Sequence, residues 1–279
     1  MRSVVAVLCV CLAASCANPR YAYSPSAHNM PVLTEKNDSK IAVAYSTNAD
    51  ANASDNKYDR NRSNGFDVQG AYAITNHFAV QASYFARSEA SYLRGEYFDS
   101  SAVKYKRNLF EFGVGGYTPI DRKGKIHFQA FAGVGFGKFK IDENGRDNGG
   151  LLYSRYHYSN VTKFYVEPAI TFKSKEIFAA SLSTRFSVIK FGSIKTNYQQ
   201  SEKESFDLDS IGRNAIVFFE PAFVNSFGIN SLPGLRLEYQ LGLSLLMSQT
   251  IVDFRPFNFS VGLVFDIPKL IKGTRGRND

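Results

Sequence analysis

From Lys40 onward, apolar and polar positions alternate with a period of two in segment after segment, with no sustained 3.6-residue period. Such alternation puts successive side chains on opposite faces, so each run predicts a β-strand with one apolar face. Ten runs qualify: Lys40–Ser46, Phe66–Thr75, Phe78–Arg87, Tyr105–Tyr117, Lys125–Lys138, Val161–Lys173, Glu176–Lys190, Asn214–Val224, Leu235–Leu246 and Phe254–Asp266. The pattern is plainest at the end, where Phe257, Phe259, Val261, Leu263 and Phe265 oppose Asn258, Ser260 and Gly262. Asn214–Val224 is nearly continuous apolar, so alternation does not fix its faces.

The connections sort by length. Short ones fall at Thr75–His77, Thr118–Gly124, Ser174–Lys175 and Asn225–Gly234. Longer, polar ones fall at Thr47–Gly65, Ser88–Lys104, Phe139–Asn160 and Phe191–Arg213, with a briefer one at Met247–Asp253. An even number of strands with short turns at one end and long loops at the other is the layout of a closed antiparallel up-and-down transmembrane β-barrel, turns in the periplasm and loops outside. The polar faces carry Lys163, Glu167, Arg185, Arg236 and Glu238, which belong in a lumen and not against lipid. Tyr92, Tyr97, Tyr105, Tyr153, Tyr156 and Tyr158 fall near strand ends, where an interfacial girdle is expected.

Composition agrees: 24 Phe and 16 Tyr among 279 residues, with a mean hydropathy of −0.22, is too polar for a helical membrane protein. The net charge of +8 is spread through loops without a basic run, so no nucleic-acid partner is expected. Ahead of the strands, Arg2 and the apolar Val4–Leu12 read as a signal peptide over residues 1–15, too short to span a bilayer as a helix. Ala13, Ala14 and Ser15 then lead into Cys16, which resembles a lipidation site; Ala13 departs from the usual Leu or Val, and ordinary cleavage after Ala17 is the alternative. Cys9 and Cys11 lie within the same leader, so the mature chain holds no cysteine pair. Pro19, Pro25 and Pro31 punctuate residues 16–38, which read as an irregular, lipidated periplasmic tether. The barrel is expected over 39–267 and a basic tail over 268–279.

The run from Cys16 to Tyr23, Asn29-Met-Pro-Val-Leu and Gly65-Phe-Asp-Val-Gln-Gly-Ala-Tyr-Ala-Ile-Thr-Asn-His-Phe resemble the uncharacterised outer-membrane β-barrel lipoproteins of Bacteroidetes-type bacteria. The resemblance covers residues 16–87 and is architectural beyond. It implies an exported, lipid-anchored outer-membrane location and brings no catalytic residues. Fourteen residues follow Phe265, whereas many such barrels stop at an aromatic residue on the last strand.

Candidate chemistry is sparse. His28, His77, His127 and His157 are not spaced as a metal pair, so neither a metal nor a cofactor is expected. The candidates for an enzyme are His157 with Asp142, Glu143 or Asp147 in the third long loop, where His157 reads as a lone histidine on a polar exposed loop. Gly133, Gly135 and Gly137 lack the helix and Lys of a phosphate loop and read as inward positions where side chains would not fit. Tyr165-Val-Glu-Pro-Ala-Ile recurs as Phe218-Phe-Glu-Pro-Ala-Phe; each proline removes a ladder hydrogen bond, which suggests bulges. Turns centred on Ser174–Lys175 and Phe227–Ile229 would pair Glu167 with Arg185 and Glu220 with Arg236 inside the lumen, plugging it. The expectation is a non-enzymatic envelope scaffold that contacts outer-membrane lipid and meets any extracellular ligand through its long loops. The alternatives are a small passive pore or transport accessory, or a barrel enzyme.

Overall fold

The computed structural model describes residues 20–48, 60–94, 100–147, 149–174, 178–229, 232–268 and 270. Cys16 and the leader lie outside the described residues, as does the tail beyond Leu270. The alternating runs form β1 (Ser39–Thr47), β2 (Arg60–Ala73), β3 (Phe78–Arg94), β4 (Ser100–Pro119), β5 (Ile126–Arg146), β6 (Leu152–Ser174) and β7 (Phe178–Thr196). A short helix, α1 (Gln200–Ser205), precedes β8 (Ile216–Ile229), β9 (Leu232–Leu243), β10 (Leu245–Leu246) and β11 (Phe257–Phe265). Each strand pairs antiparallel with the next; β9 and β10 are one wall strand interrupted at Ser244, and β11 closes onto β1 from Ile41↔Phe265 to Thr47↔Phe259. The result is a closed ten-stranded barrel.

Its outer face is apolar. Val43, Phe112, Phe164 and Leu241 are each about half exposed, at 49%, 54%, 57% and 53%. Their wall neighbours Lys163, Glu167, Arg185 and Glu220 are buried in the lumen. Apolar-out and polar-in is the arrangement of a barrel in lipid and the reverse of a soluble cup.

The strand lengths are graded. β11 and β1 have 9 residues each, whereas β4, β5, β6 and β7 have 20, 21, 23 and 19. At roughly 3.3 Å per residue and a tilt near 40°, the short strands rise about 23 Å and the longest about 58 Å. Only the former matches the ~25 Å apolar band. Ser46 near the end of β1 is in register with Arg87, Arg107, Phe139 and Ser159, and beyond that level β3–β6 each run on for seven residues toward the long-loop end. Most of the expected loops Ser88–Lys104 and Phe139–Asn160 is therefore strand, leaving connections at 95–99 and 147–151. Tyr105, expected in the girdle, points inward and is buried. No bulge forms at Pro168 or Pro221: the registers Val166↔Phe186 and Ala169↔Ser183, and Arg185↔Glu220 and Ser183↔Ala222, run through unshifted.

Candidate functional site

The lumen is occupied by the chain's own N-terminal segment. Expected as a tether outside the barrel, residues 20–33 instead run extended down its axis, a path that Pro25 and Pro31 favour and that ends where Thr34–Asp38 reverse into β1. At the long-loop mouth, Arg20 donates to Glu143 at 2.7 and 3.2 Å, and its backbone N–H donates to Asp253. Tyr21–Tyr23 then run parallel to Asp253–Arg255, through Ala22 N–H to Asp253 O and Arg255 N–H to Tyr23 O. Leu33 reaches the opposite rim, packed with Ala73, Ala79, Tyr117 and Phe131. Arg20–Leu33 spans about 43 Å at roughly 3.3 Å per residue, close to the full thickness of a bilayer with its headgroups.

An extended segment in a dry lumen has no ladder for its own N–H and C=O groups, and unsatisfied ones are costly. Wall side chains serve them. Gln240 accepts from His28 N–H at 2.7 Å and donates to His28 O at 3.1 Å, Gln69 donates to the same carbonyl at 3.2 Å, and Asp67 accepts from Ala27 N–H at 3.2 Å.

Three layers follow along the axis. At the long-loop end Tyr105, Phe139, Ile141, Ile189 and Phe218 form an apolar cap with Ala22 and Tyr23, closed over by Tyr198, Leu208 and Ile211 of the β7–β8 loop. At the short-turn end, the Leu33 cluster is the floor. The waist between them is charged. Lys163 lies 3.1 Å from Glu111 and 3.6 Å from Glu220. Arg185 binds Glu167 and lies 3.8 Å from Glu111. Ser26 links segment to wall by donating to Glu111 at 3.3 Å and accepting from Arg185 at 3.1 Å, and Tyr23 donates to Glu220 at 2.7 Å.

The wall's register explains this network. Arg185 on β7 stands between Glu220 on β8 and the Glu167 position on β6, so the repeated Glu-Pro-Ala places one carboxylate on each side of one guanidinium. Lys163 and Glu111 are separated on the wall by Gly135, directly paired with both, and the missing side chain lets the ammonium cross over it. Likewise the Tyr165 ring lies across Gly133 and Gly113, where an added Cβ would come within 2.6 and 2.5 Å of it, and its hydroxyl accepts from Gln81 at 3.1 Å. A second cluster joins Arg107 and Arg255 to Glu89 at 2.7 and 3.0 Å, with Arg87 and Asp67 beside them. The waist holds three carboxylates and two cations, the second cluster three guanidiniums and two carboxylates, so their opposite excesses offset, which is how a dry lumen tolerates charge.

Of the paired residues expected from sequence, the structure brings Glu167 and Arg185 together but not Glu220 and Arg236. The β8–β9 hairpin turns between Ile229 and Leu232, which sets Gly228 opposite Arg236 and leaves Glu220 level with Ser244, eight positions away. Ser244 donates to Glu220 at 3.1 Å. Asn225 and Ser226, read as turn residues, are buried strand residues. Sequence reasoning missed Arg20, Tyr23, Ser26, His28, Lys40 and Glu111; the first four carried no periodicity to mark them. His157 lies on β6 with its ring 5.9 Å from that of Phe139, and neither ring nitrogen has a hydrogen-bond partner. Asp142 accepts from Tyr158, Asp147 from Leu151 N–H and Glu143 from Arg20 and Tyr198, so none of the three engages His157. Among the described residues, no group of three His, Cys, Asp or Glu side chains is placed to hold a metal.

No family model and no curated protein matches the chain. Among solved structures, the outer membrane protease OmpT from Escherichia coli is similar over 86% of this chain and 99% of its own at 8% identity, with a TM-score of 0.42. The translocator domain of the autotransporter NalP from Neisseria meningitidis is similar over 82% of this chain and 88% of its own at 8% identity, TM-score 0.48. Ail, the attachment invasion locus protein of Yersinia pestis, is similar over 82% and 99% at 12% identity, TM-score 0.31. The likeness in each case is one of fold alone.

Proposed function

We propose that this chain is an outer-membrane barrel lipoprotein that works as a non-conducting envelope scaffold, with its short turns in the periplasm and its tall β4–β7 wall and β7–β8 loop outside. The observation that carries this reading is the lumen: cap, charged waist and floor each include residues of the N-terminal segment, the filling expected of a barrel that does not conduct. The barrel then serves as a rigid platform, held by outer-membrane lipid, that offers loop surface to an extracellular ligand. The described segment begins with Arg20 at the long-loop mouth and not at the periplasmic end expected of a tether.

Reconstitution of the purified full chain in a planar bilayer tests the scaffold reading. Steady conductance at the background of protein-free bilayers is expected, and stable porin-like steps from the wild type would overturn it.

A further inference from the structure

Directly above the apolar belt on the outside of β3–β5, the wall becomes strongly basic. Phe110↔Phe136 is the last aromatic pair of the belt; the next outward pairs are Asn108↔Lys138, Lys106↔Lys140 and Lys104↔Asp142. All four lysines are exposed. Like charges directly opposite on one sheet face destabilise it, so the Lys106–Lys140 pair costs stability unless an anion lies between the two ammoniums. Asp142 does not fill that role: it opposes Lys104 and accepts a hydrogen bond from the Tyr158 hydroxyl. Lys140 is 5.3 Å from the Tyr158 ring, a contact that keeps its charge.

The same patch is concave. A hollow of about 330 Å³ has Phe66 and Tyr84 along its lower edge, Ser88 at its side and Lys106, Lys138 and Lys140 along its upper edge. Its depth comes at Ala86, whose small side chain stands between Phe66 and Asn108 on the outward face. Aromatic surface on the belt side and ammonium groups on the headgroup side match a molecule with an acyl chain below and a phosphate above.

We propose that this hollow binds the phosphate headgroup of an anionic lipid in the leaflet on the long-loop side. The phosphate oxygens bridge Lys106 and Lys140, Lys138 supplies a further ammonium, and the first methylenes of the acyl chain lie on Phe66 and Tyr84. The site rests on the reading of this barrel as membrane-spanning. Free phosphate would meet the lysines but leave the aromatic edge uncovered, so the occupant is a lipid.

The test uses the full folded chain in a neutral detergent, titrated with phosphatidylglycerol, phosphatidylcholine or inorganic phosphate while Tm is followed. A saturable rise with phosphatidylglycerol alone is expected. Each Lys→Gln change near a charged membrane surface should weaken binding about fivefold (~1 kcal/mol per lysine at 1.4 kcal/mol per decade). Lys106→Gln with Lys140→Gln should therefore weaken it about 25-fold, and Lys123→Gln in the short β4–β5 turn should leave it unchanged. Equal responses to the two lipids, a double variant that keeps wild-type affinity, or an equal rise with inorganic phosphate would each overturn the lipid site. Insertion into phosphatidylcholine liposomes is scored in parallel: a chain that does not insert removes the membrane reading itself, and insertion without preference for phosphatidylglycerol removes only this inference.

Discussion

The tall wall, β4–β7, and the short wall, β11–β1, solve the same problem in different ways. On the tall side, the interior is filled by the wall's own side chains. Tyr165 lies flat over two glycines, Lys163 reaches across a third, and Arg185 is held by neighbours on adjacent strands. On the short side the strands stop early, and the axial segment supplies what they lack. Tyr21–Tyr23 pair with the chain entering β11, Ser24 meets Asn48 just beyond β1 at 3.0 Å, and Lys40 on β1 donates to Met30 O at 3.3 Å as well as to Glu238. The tall wall carries its own interior network and meets the segment through side chains, at Glu143, Glu111 and Arg185, whereas the short side is joined to it through the backbone as well.

Deleting residues 20–33 should break that asymmetry most. The short wall loses backbone and side-chain partners together, whereas the tall wall keeps its register. Hydrogen exchange should accelerate first in β1 and β11, with β5 and β6 still protected, and the emptied lumen should conduct in a planar bilayer. Uniform acceleration in all strands would show that the walls are not independent.

Arg185→Leu attacks the tall wall from within. Removing the guanidinium leaves the buried Glu167 without its ion-pair partner and takes a cation from beside Glu111, and breaking a buried pair in this way costs about 3–5 kcal/mol. Urea unfolding of the barrel in detergent should show a loss in that range. A change below about 1 kcal/mol would mean that water reaches the waist.

The smallest effect is expected where the tall wall meets α1. Arg155 on β6 donates to Glu202 at 2.9 and 3.0 Å, with both side chains partly exposed. Partial burial raises the Glu202 carboxyl, but hydrogen bonds from Arg155 and from the Gln199 N–H outweigh it and hold the group below the ordinary carboxylate range. A lowered folded-state value contributes stability that is present above the unfolded value and lost as pH falls through the folded one. Glu202→Gln should therefore cost no more than about 1 kcal/mol at neutral pH. The difference from wild type should shrink on acidification below the ordinary carboxylate range; a difference constant down to the lowest accessible pH would show that this contact carries no proton linkage.

What was legible in the sequence followed from period two. Where one face meets lipid, as at Phe257–Phe265, alternation gave both the strand and its outward side. Above the apolar belt that contrast reverses: Lys104 and Lys140 are exposed on the outside while Tyr105, Phe139 and Ile141 face the cap, so the strand beyond that level reads as loop. Asn214–Val224 was ambiguous for the complementary reason. Its inward positions Ile216, Phe218, Ala222 and Val224 are apolar because they face the cap, Tyr23 and Met30 instead of the charged waist. The axial segment itself was illegible, since an extended chain served by partners on many strands needs no periodicity of its own. The interior pairs depended on turn position alone, so Glu167–Arg185 followed from a turn near its expected place, and Glu220–Arg236 failed once the next turn moved toward Leu232.

The reversal at Thr34–Asp38 has a mechanical consequence. Asp38 accepts from the backbone N–H groups of Thr34 and Glu35 at 2.7 and 3.0 Å, fastening the axial segment at the rim opposite Arg20. A pull on the chain ahead of Arg20 is therefore not resisted at the mouth alone. Tension passes down the axis through Tyr23, Ser26 and His28 to the far rim, and there it loads the first strand of a closed hoop. The barrel thus acts as a through-bolt, with force applied on one side of the membrane borne by the structure on the other.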